Sequence, residues 1–265
     1  MGYRDIISLM PKTAPVDADA QAFLTAAGIS DPTISGAINT LVVQMKADNI
    51  WTKMKAIYPM VGGSASTHKW NLKDPRDLDA AFRLQFFGGG THTANGYQPN
   101  GTNGFADTFF NPSINALQNN HSLSFYSRTN SNGTEIELGG VSGNRSFLEI
   151  RSSGITYFSV NGGSINFDSI TDANSLGFYQ ANRTSSANHD LWKNGVKIFA
   201  GTLPSSPLVN INYYLSAYNN LGSASLFSSK QCAFASIGDG LTDTDAASLY
   251  TAVQAFQTTL NRQIV

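Results

Sequence analysis

The sequence predicts a mainly β protein, an antiparallel β-sandwich with a short N-terminal helical region and a C-terminal helix. Three observations support this fold class. Between residues 69 and 237, short runs alternate apolar with polar residues and are separated by Gly, Asn and Ser clusters at roughly eight- to twelve-residue spacing. Asn194 and Gly195 stand between two apolar runs, as in a two-residue β-hairpin. From residue 246 onward, apolar residues recur at helical steps, which indicates a helix with one buried face.

The first fifteen residues have no periodic pattern and contain two prolines, which favours an extended arm over residues 1–15. Their apolar side chains have the least opportunity for burial within a monomer. We therefore expect the arm to dock on a neighbouring chain. The predicted docking residues are Tyr3, Ile6, Ile7, Leu9 and Met10.

Residues 16–63 form the predicted helical region, with three helical pieces. Asp17 is placed to cap the first helix, and Asp31 followed by Pro32 supplies the cap and the first-turn proline of the second. A third helical segment is expected to begin near Asn49 and to end at the proline and glycines that follow it.

Residues 64–265 form the predicted sandwich with its closing helix. The predicted strands are 80–87, 123–128, 135–138, 147–151, 155–160, 164–167, 176–182, 190–192, 196–199, 213–218 and 232–237. In the closing helix, Thr242 and Asp245 are spaced as a near capping box. Phe256 belongs to its apolar stripe, whereas Gln254 and Gln257 fall on the opposite side and are expected to be exposed.

Composition excludes several classes of protein. The chain has 265 residues and 41% hydrophobic content, enough for a full core in one domain. Only 13% of the residues are charged, and 17 basic residues nearly balance 18 acidic ones without clustering, so we expect no nucleic-acid binding. No apolar run is long enough for a membrane span, and the first residues lack the pattern of a signal peptide. Cys232 is the single cysteine, which precludes an intramolecular disulfide.

The C-terminal third carries a family resemblance. Residues 189–198 (HDLWKNGVKI), followed some forty residues later by a strand and then 237–250 (IGDGLTDTDAASLY), resemble the closing half of laminin-G-like, concanavalin A-like jelly-roll domains. This resemblance implies a concanavalin A-like β-sandwich.

A narrower resemblance covers nearly the whole chain. The stretches that carry it are 31–41 (DPTISGAINTL), 50–59 (IWTKMKAIYP), 82–84 (FRL), 100–108 (NGTNGFADT), 126–129 (YSRT) and 250–260 (YTAVQAFQTTL). Together they are similar to a module of structural proteins from tailed-phage and prophage virions. The resemblance implies a non-enzymatic component of the tail, baseplate, fibre or capsid exterior. Its implied partners are other virion structural proteins and further copies of the same chain, assembled into a virion in the host cytoplasm.

A lectin-like module that binds host-surface glycan is the alternative function. The segment 88–107 is long, polar and glycine-rich, and we expect it to be a loop without regular structure. Sugar recognition needs flat aromatic rings and planar amides, and the candidate glycan-binding residues here are His92, Asn95, Tyr97, Asn100 and Asn103. A turn-rich connection made of positive-φ residues is the favoured interpretation of this segment.

A sandwich glycosidase is a third possibility. Glu135 and Glu137 are two residues apart on a predicted strand, so their side chains would share one face, as nucleophile and acid do in such enzymes. The pattern needs a further acidic residue where Gly139 stands, so a solvated strand face is the favoured interpretation and no catalytic residue is assigned.

The sequence assigns no metal site and no cofactor. The histidines have no two members at a ligand spacing, which argues against zinc; they are His68, His92, His121 and His189. A calcium ion at a strand edge would use three nearby aspartates, although a helix-like or turn surface is the more economical explanation of them; these are Asp74, Asp77 and Asp79.

Overall fold

The computed structural model describes residues 16–264, and residues 1–15 and 265 lie outside the described part. The predicted docking arm, with Tyr3, Ile6, Ile7, Leu9 and Met10, therefore falls outside the described residues. The helices are α1 Ala18–Ala27, α2 Pro32–Ala47, α3 Ala65–His68, α4 Pro112–Asn115 and α5 Asp243–Thr259, with short 3-10 turns at Trp51–Lys53 and Asp79–Ala81. No helix among them is long and apolar enough to cross a membrane.

Two sheets, almost entirely antiparallel, form a sandwich, so the predicted fold class is confirmed. The strands are β1 Met54–Tyr58, β2 Gln85–Phe87, β3 Gly90–Thr93, β4 Gly96–Pro99, β5 Phe105–Asp107, β6 His121–Ser127, β7 Leu138–Ser142, β8 Asn144–Ser152, β9 Ile155–Gly162, β10 Asp168–Thr171, β11 Gly177–Ser185, β12 Asn188–Lys193, β13 Val196–Gly201, β14 Tyr214–Leu215, β15 Tyr218–Asn220, β16 Ser223–Ser225 and β17 Cys232–Gly238. Sheet 1 runs β13-β12-β11-β6-β17-β4-β3, with β1 also paired to β17. Sheet 2 runs β10-β9-β8-β7-β14-β5-β2, with β15 on β7 and β16 on β15.

Apolar side chains pack in three layers. The main core lies between the sheets, where Phe125 of sheet 1 and Leu148 of sheet 2 are fully buried. A second layer lies between the outer face of sheet 1 and helices α1, α2 and α5, and it includes Phe234 and Phe256. A small third cluster around Phe147 lies on the outer face of sheet 2, which no helix of this second layer covers. Sheet 2 therefore presents the open face of the described sandwich.

Local sequence signals place the helix ends and one hairpin correctly. Asp31 caps α2 by accepting hydrogen bonds from the backbone N–H groups of the next turn. Thr242 and Asp245 form a complete capping box at the start of α5. Asn194 and Gly195, both with positive φ, connect the paired strands β12 and β13.

The predicted third helical segment is wrong, because its second half is strand β1. β1 pairs antiparallel with β17, and its side chains enter both apolar layers: Ile57 faces the helices, whereas Ala56 and Tyr58 face the inter-sheet core. A strand that is buried on both faces has apolar residues at consecutive positions and lacks the alternation of apolar and polar residues. The spacing of the apolar residues in β1 therefore resembles that of a helix. The division of the chain at residue 64 stays a prediction, although β1 lies before it and belongs to sheet 1.

Three further assignments need correction. The segment 88–107 is not an unstructured loop, because β3 and β4 form a hairpin within it and β5 follows. Residues 164–167 are not a strand; pairing with β9 begins at Asp168. In the predicted strand 80–87, only the last three residues are extended, since a 3-10 turn and Phe82 with a φ of 58° precede them.

Gln257 is buried, contrary to the predicted exposure of that side of the closing helix. Its side-chain amide donates to the Ala233 carbonyl at 3.3 Å and accepts from Arg262 Nε at 2.5 Å. The buried guanidinium of Arg262 also donates to the carbonyls of Pro59 and Met60. The polar side chain of Gln257 is buried because it accepts a hydrogen bond from the buried Arg262 guanidinium. An apolar stripe on the helix does not predict such a contact.

Candidate functional site

The predicted glycan loop is a compact, self-bonded structure. Tyr97 is only 1% exposed, so its ring offers no platform to a sugar. His92 stacks on Tyr97 at 4.8 Å between ring centroids, and its Nδ1 lies 3.0 Å from His68 Nδ1. Burial lowers the pKa of both histidines, that of His68 to about 3. The sequence does not reveal this contact, because the two histidines are far apart in the chain.

The loop asparagines hold the backbone in place. The Asn100 side-chain oxygen accepts from the N–H groups of residues 102, 103 and 104, and Asn103 accepts from the Gly89 N–H at 2.8 Å. These bonds use the amide groups that a sugar would need. Asn95 is exposed and stands apart from them. The five predicted glycan-binding residues therefore do not converge on an open aromatic surface, because β3 and β4 turn Tyr97 inward.

Glu135 and Glu137 converge on Lys230, whose amino group lies 3.0 Å from Glu135 Oε2 and 3.1 Å from Glu137 Oε1. Both Glu137 and Lys230 have no exposed surface. The favoured interpretation of a solvated strand face is therefore wrong for this pair. Lys230 follows two serines in the sequence, and no local pattern there predicts its pairing with the two glutamates.

Burial raises the pKa of Glu137 to about 7, with Lys230 opposing the shift. Burial also acts on Glu135, but the Ser229 backbone N–H and Lys230 outweigh it, so the pKa of Glu135 is lowered. The pKa values of the two carboxyl groups are thus shifted in opposite directions, so Glu137 is more readily protonated at neutral pH than Glu135. A glycosidase carboxyl must touch the scissile bond, and Glu137 has no surface with which to do so.

The three candidate calcium ligands are engaged with cations. Asp74 pairs with Arg76, Asp77 with Lys69, and Asp79 with Arg83. Within residues 16–264, no three His, Cys, Asp or Glu side chains come together in a way that could hold a metal ion.

An open pocket of about 230 Å³ lies on the outer face of sheet 2. Arg145, Phe147 and Glu149 alternate along β8 and share this face. Tyr157 stands directly opposite Glu149 on β9. Phe167, in the segment between β9 and β10, completes the rim and is 42% exposed.

The aromatic rings of this pocket pack edge to face. Tyr157 and Phe167 have ring centroids 5.6 Å apart at 75°, and Phe147 and Phe167 lie 6.3 Å apart at 61°. Beneath them, Phe147 rests against Tyr218 at 5.9 Å. These contacts hold the rings in defined orientations, so a ligand would meet a preformed surface.

Arg145 and Glu149 supply polar groups beside the rings. The Arg145 guanidinium lies 6.0 Å from the centroids of both Phe147 and Phe167 and donates to the Ser164 carbonyl. Its Nε has no hydrogen-bond partner among the described residues. Burial raises the pKa of the Glu149 carboxyl. The pocket therefore combines aromatic surface with hydrogen-bonding groups, which is the chemistry that binds sugars.

The sequence contained a usable signal for this pocket. Both predicted strands 147–151 and 155–160 are correct in position, and together they form a hairpin. Pairing Glu149 with Tyr157 across it would have placed an aromatic ring beside Phe147. The position of Phe167 depends on the chain folding back after β9, which no local pattern indicates.

A second depression, of about 300 Å³, lies between the start of α2 and the end of α5. Its apolar lining includes Ile34, Val61 and Leu260. Within the described part of the chain, Asp31 is the one ionisable group that lines it, and that carboxylate is engaged in capping α2. This depression has less to offer a polar ligand than the pocket on sheet 2.

Neither a protein-family model nor a curated protein matches this sequence. Among solved structures, the fold is similar to a Trypanosoma rangeli sialidase mutant displaying trans-sialidase activity, at 10% identity and a TM-score of 0.54, over 83% of this chain and 39% of the sialidase. Domain 4 of AbnA, a GH43 extracellular arabinanase from Geobacillus stearothermophilus solved with arabinotriose, aligns at 14% identity and a TM-score of 0.48, over 74% of this chain and 98% of that domain.

NanB sialidase from Streptococcus pneumoniae aligns at 13% identity and a TM-score of 0.43, over 52% of this chain. The aligned part spans 25% of that sialidase. At such identities, the likeness to the Trypanosoma protein concerns the β-sandwich fold alone.

Proposed function

We propose that this chain is a non-enzymatic, carbohydrate-binding β-sandwich module that holds a sugar in the pocket on sheet 2. The observation that carries the proposal is the exposed ring of Phe167, packed edge to face on the half-buried ring of Tyr157, beside the guanidinium of Arg145. A sugar ring has apolar C–H faces and hydroxyl edges, so it needs aromatic surface and hydrogen-bond donors at one place. This pocket supplies both on the open side of the sandwich.

The size of the pocket fits a shallow subsite. Its volume of about 230 Å³ lies below the roughly 300–1,000 Å³ of drug-sized clefts. We infer that it contacts one sugar ring, with the rest of a glycan extending over the face of sheet 2. Weak single-site binding, strengthened by display of several copies, is the expected behaviour of such a site.

Phe167→Ala is the direct test of this site. The purified protein is screened against an array of surface polysaccharides and glycans, and binding is then measured by calorimetry. Loss of the exposed ring should weaken binding about tenfold, the equivalent of about 1.4 kcal/mol. Phe87→Ala is the matched control, because Phe87 is 41% exposed and belongs to the opposite edge strand of the same sheet. Equal effects of the two substitutions would place the site elsewhere.

The non-enzymatic part of the proposal rests on the carboxylates. Glu137 is inaccessible and Glu135 is bonded to Ser229 and Lys230, so neither is free to act on a glycosidic bond. Among the described residues that line the pocket, Glu149 is the single carboxyl group, whereas hydrolysis of this kind uses a pair.

We also propose, from the sequence resemblance to phage modules, that the module is displayed on a virion and binds other virion structural proteins or further copies of itself. Assembly would take place in the host cytoplasm. The polypeptide enters the described structure at Val16, beside the helices that cover sheet 1, whereas the pocket lies on sheet 2. Docking through residues 1–15 would thus leave the pocket facing outward.

Deleting residues 1–15 tests the role of this arm. The deletion should leave the sandwich folded, as seen in its melting curve, and should abolish incorporation into particles. Normal assembly of the truncated protein would contradict the role of the arm.

A further inference from the structure

Lys230 is the one fully buried lysine among residues 16–264, and it contacts two carboxyl groups inside the sandwich. Placing an ammonium group and carboxylates in the interior is costly, and apolar residues of similar size are often as stable. Such a cluster therefore calls for a chemical explanation. The Lys230 amino group lies within hydrogen-bond distance of the carboxyl group of Glu137, where water is excluded.

Glu137 is held as an electrophile would be. Its Oε2 accepts a hydrogen bond from the Ile150 backbone N–H at 2.5 Å, and Ser228 Oγ donates to Oε1 at 3.1 Å. The Ile150 N–H is placed to stabilise negative charge that develops on Oε2 during attack at the carboxyl carbon. The raised pKa of Glu137 also favours its protonated form, which is the reactive one.

Glu135 is held in the opposite state. It accepts hydrogen bonds from the Ser229 backbone N–H at 2.9 Å and from Ser229 Oγ at 2.7 Å. These contacts favour a carboxylate, and its Oε2 lies 3.0 Å from the Lys230 amino group. Glu135 is therefore placed to take a proton from Lys230. Burial is outweighed by the two carboxyl groups, which raise the pKa of the Lys230 amino group, so this transfer is uphill and the later release of water must draw it forward.

We propose that Lys230 and Glu137 form an intramolecular isopeptide bond, with Glu135 as the proton acceptor. Glu135 first takes one proton from the Lys230 ammonium. The free amine then attacks Cδ of protonated Glu137, and a bond forms between Nζ and Cδ. A second proton moves from the nitrogen to the hydroxyl of Glu137, and the C–O bond breaks to release water. The products are one amide, one water molecule and protonated Glu135, with no oxidation or reduction.

The bond would join the two sheets covalently. Glu137 immediately precedes β7 of sheet 2, and Lys230 lies two residues before β17 of sheet 1. A cross-link between residues so far apart in sequence restricts the unfolded chain strongly, as a long-range disulfide does. With a single cysteine, the chain cannot make a disulfide of its own for this purpose.

Intact mass spectrometry of the denatured full-length protein is the first test. The expected mass is lower than the sequence mass by one water molecule. Protease digestion followed by fragmentation should identify a branched peptide that joins Glu137 to Lys230. An unmodified mass for the folded wild-type protein overturns the proposal. A branch at Glu135, or a water loss located at Asp239-Gly240 as a succinimide, overturns it as well.

Variants separate the roles of the three residues. Lys230→Met and Glu135→Gln should both restore the full mass, the first because the nucleophile is absent and the second because the proton acceptor is absent. Lys193→Met is the matched control, since Lys193 is also paired with a buried carboxylate, that of Asp172. The Lys193→Met control should still have a mass lower than its sequence mass by one water molecule. Retention of the bond in Glu135→Gln would remove Glu135 from the mechanism, and the wild-type mass remains decisive if a variant fails to fold.

Discussion

Gly139 lies opposite Phe147 in the ladder between β7 and β8, and a Cβ atom at Gly139 would lie 2.6 Å from the Cα of Phe147. The residue at position 139 is therefore limited by its strand partner. A glutamate there, as the glycosidase pattern requires, has no space.

Gly139→Ala should destabilise the protein by about 1–3 kcal/mol, the usual cost of overpacking a filled site. Denaturant unfolding measures the change. Gly36→Ala is the control, because Gly36 lies in α2 with no neighbouring atom within 4 Å of the added Cβ. It should be neutral or stabilising, since alanine favours a helix more than glycine does. A neutral Gly139→Ala would show that the ladder adjusts freely.

Phe256→Ala should cost roughly 3–5 kcal/mol, because Phe256 is buried between α5 and sheet 1. Gln257→Ala should cost about 1–3 kcal/mol, since it leaves Arg262 Nε without its acceptor in a buried position. Exposed Thr251 on the same helix gives the control, and Thr251→Ala should change stability little. A Gln257→Ala variant as stable as the control would mean that the guanidinium finds another partner.

His121 should make folding stability depend on pH. It is fully buried, and burial lowers its pKa to about 4 from the ordinary 6.5. The unfolded chain therefore binds a proton at a higher pH than the folded chain. The stabilisation is complete above about pH 6.5 and is lost as the pH falls towards 4, by about 3 kcal/mol.

The stability difference between wild type and His121→Phe isolates this effect. Phenylalanine keeps the ring that stacks on Tyr213 and removes the titrating nitrogens. The comparison must be made against the variant, because burial raises the pKa of the Glu149 carboxyl, and that shift acts on stability in the opposite direction. A pH-independent difference would contradict the buried neutral state of His121.

Hydrolysis of common β-glucans, galactans and surface polysaccharides should be absent. The physical reason is that Glu137 has no access to solvent and that Glu135 is bonded within the cluster. Product release is measured by chromatography after long incubation. Turnover that disappears in Glu135→Gln would establish an enzyme and refute the binding-module proposal.

Several features follow from the sequence by itself. The sandwich class, the caps at Asp31 and Thr242, and the hairpin at Asn194-Gly195 are all recognisable there. Each cap or turn depends on interactions within about four residues, such as a side chain bonded to the next backbone N–H groups. The sandwich class depends on the alternation of apolar and polar residues, which the pleat of a strand imposes directly.

Tertiary structure alone decided the inclusion of β1 in sheet 1, the burial of Gln257 and Tyr97, and the meeting of Lys230 with Glu137. It also assembled the pocket of Tyr157 and Phe167. These features depend on partners distant in sequence, and burial on two faces removes the periodicity that would reveal them. A buried polar side chain is stable only where a distant group satisfies it. Local chemistry therefore determined where elements begin and turn, whereas the packing of the sheets determined which side chains became available for binding or reaction.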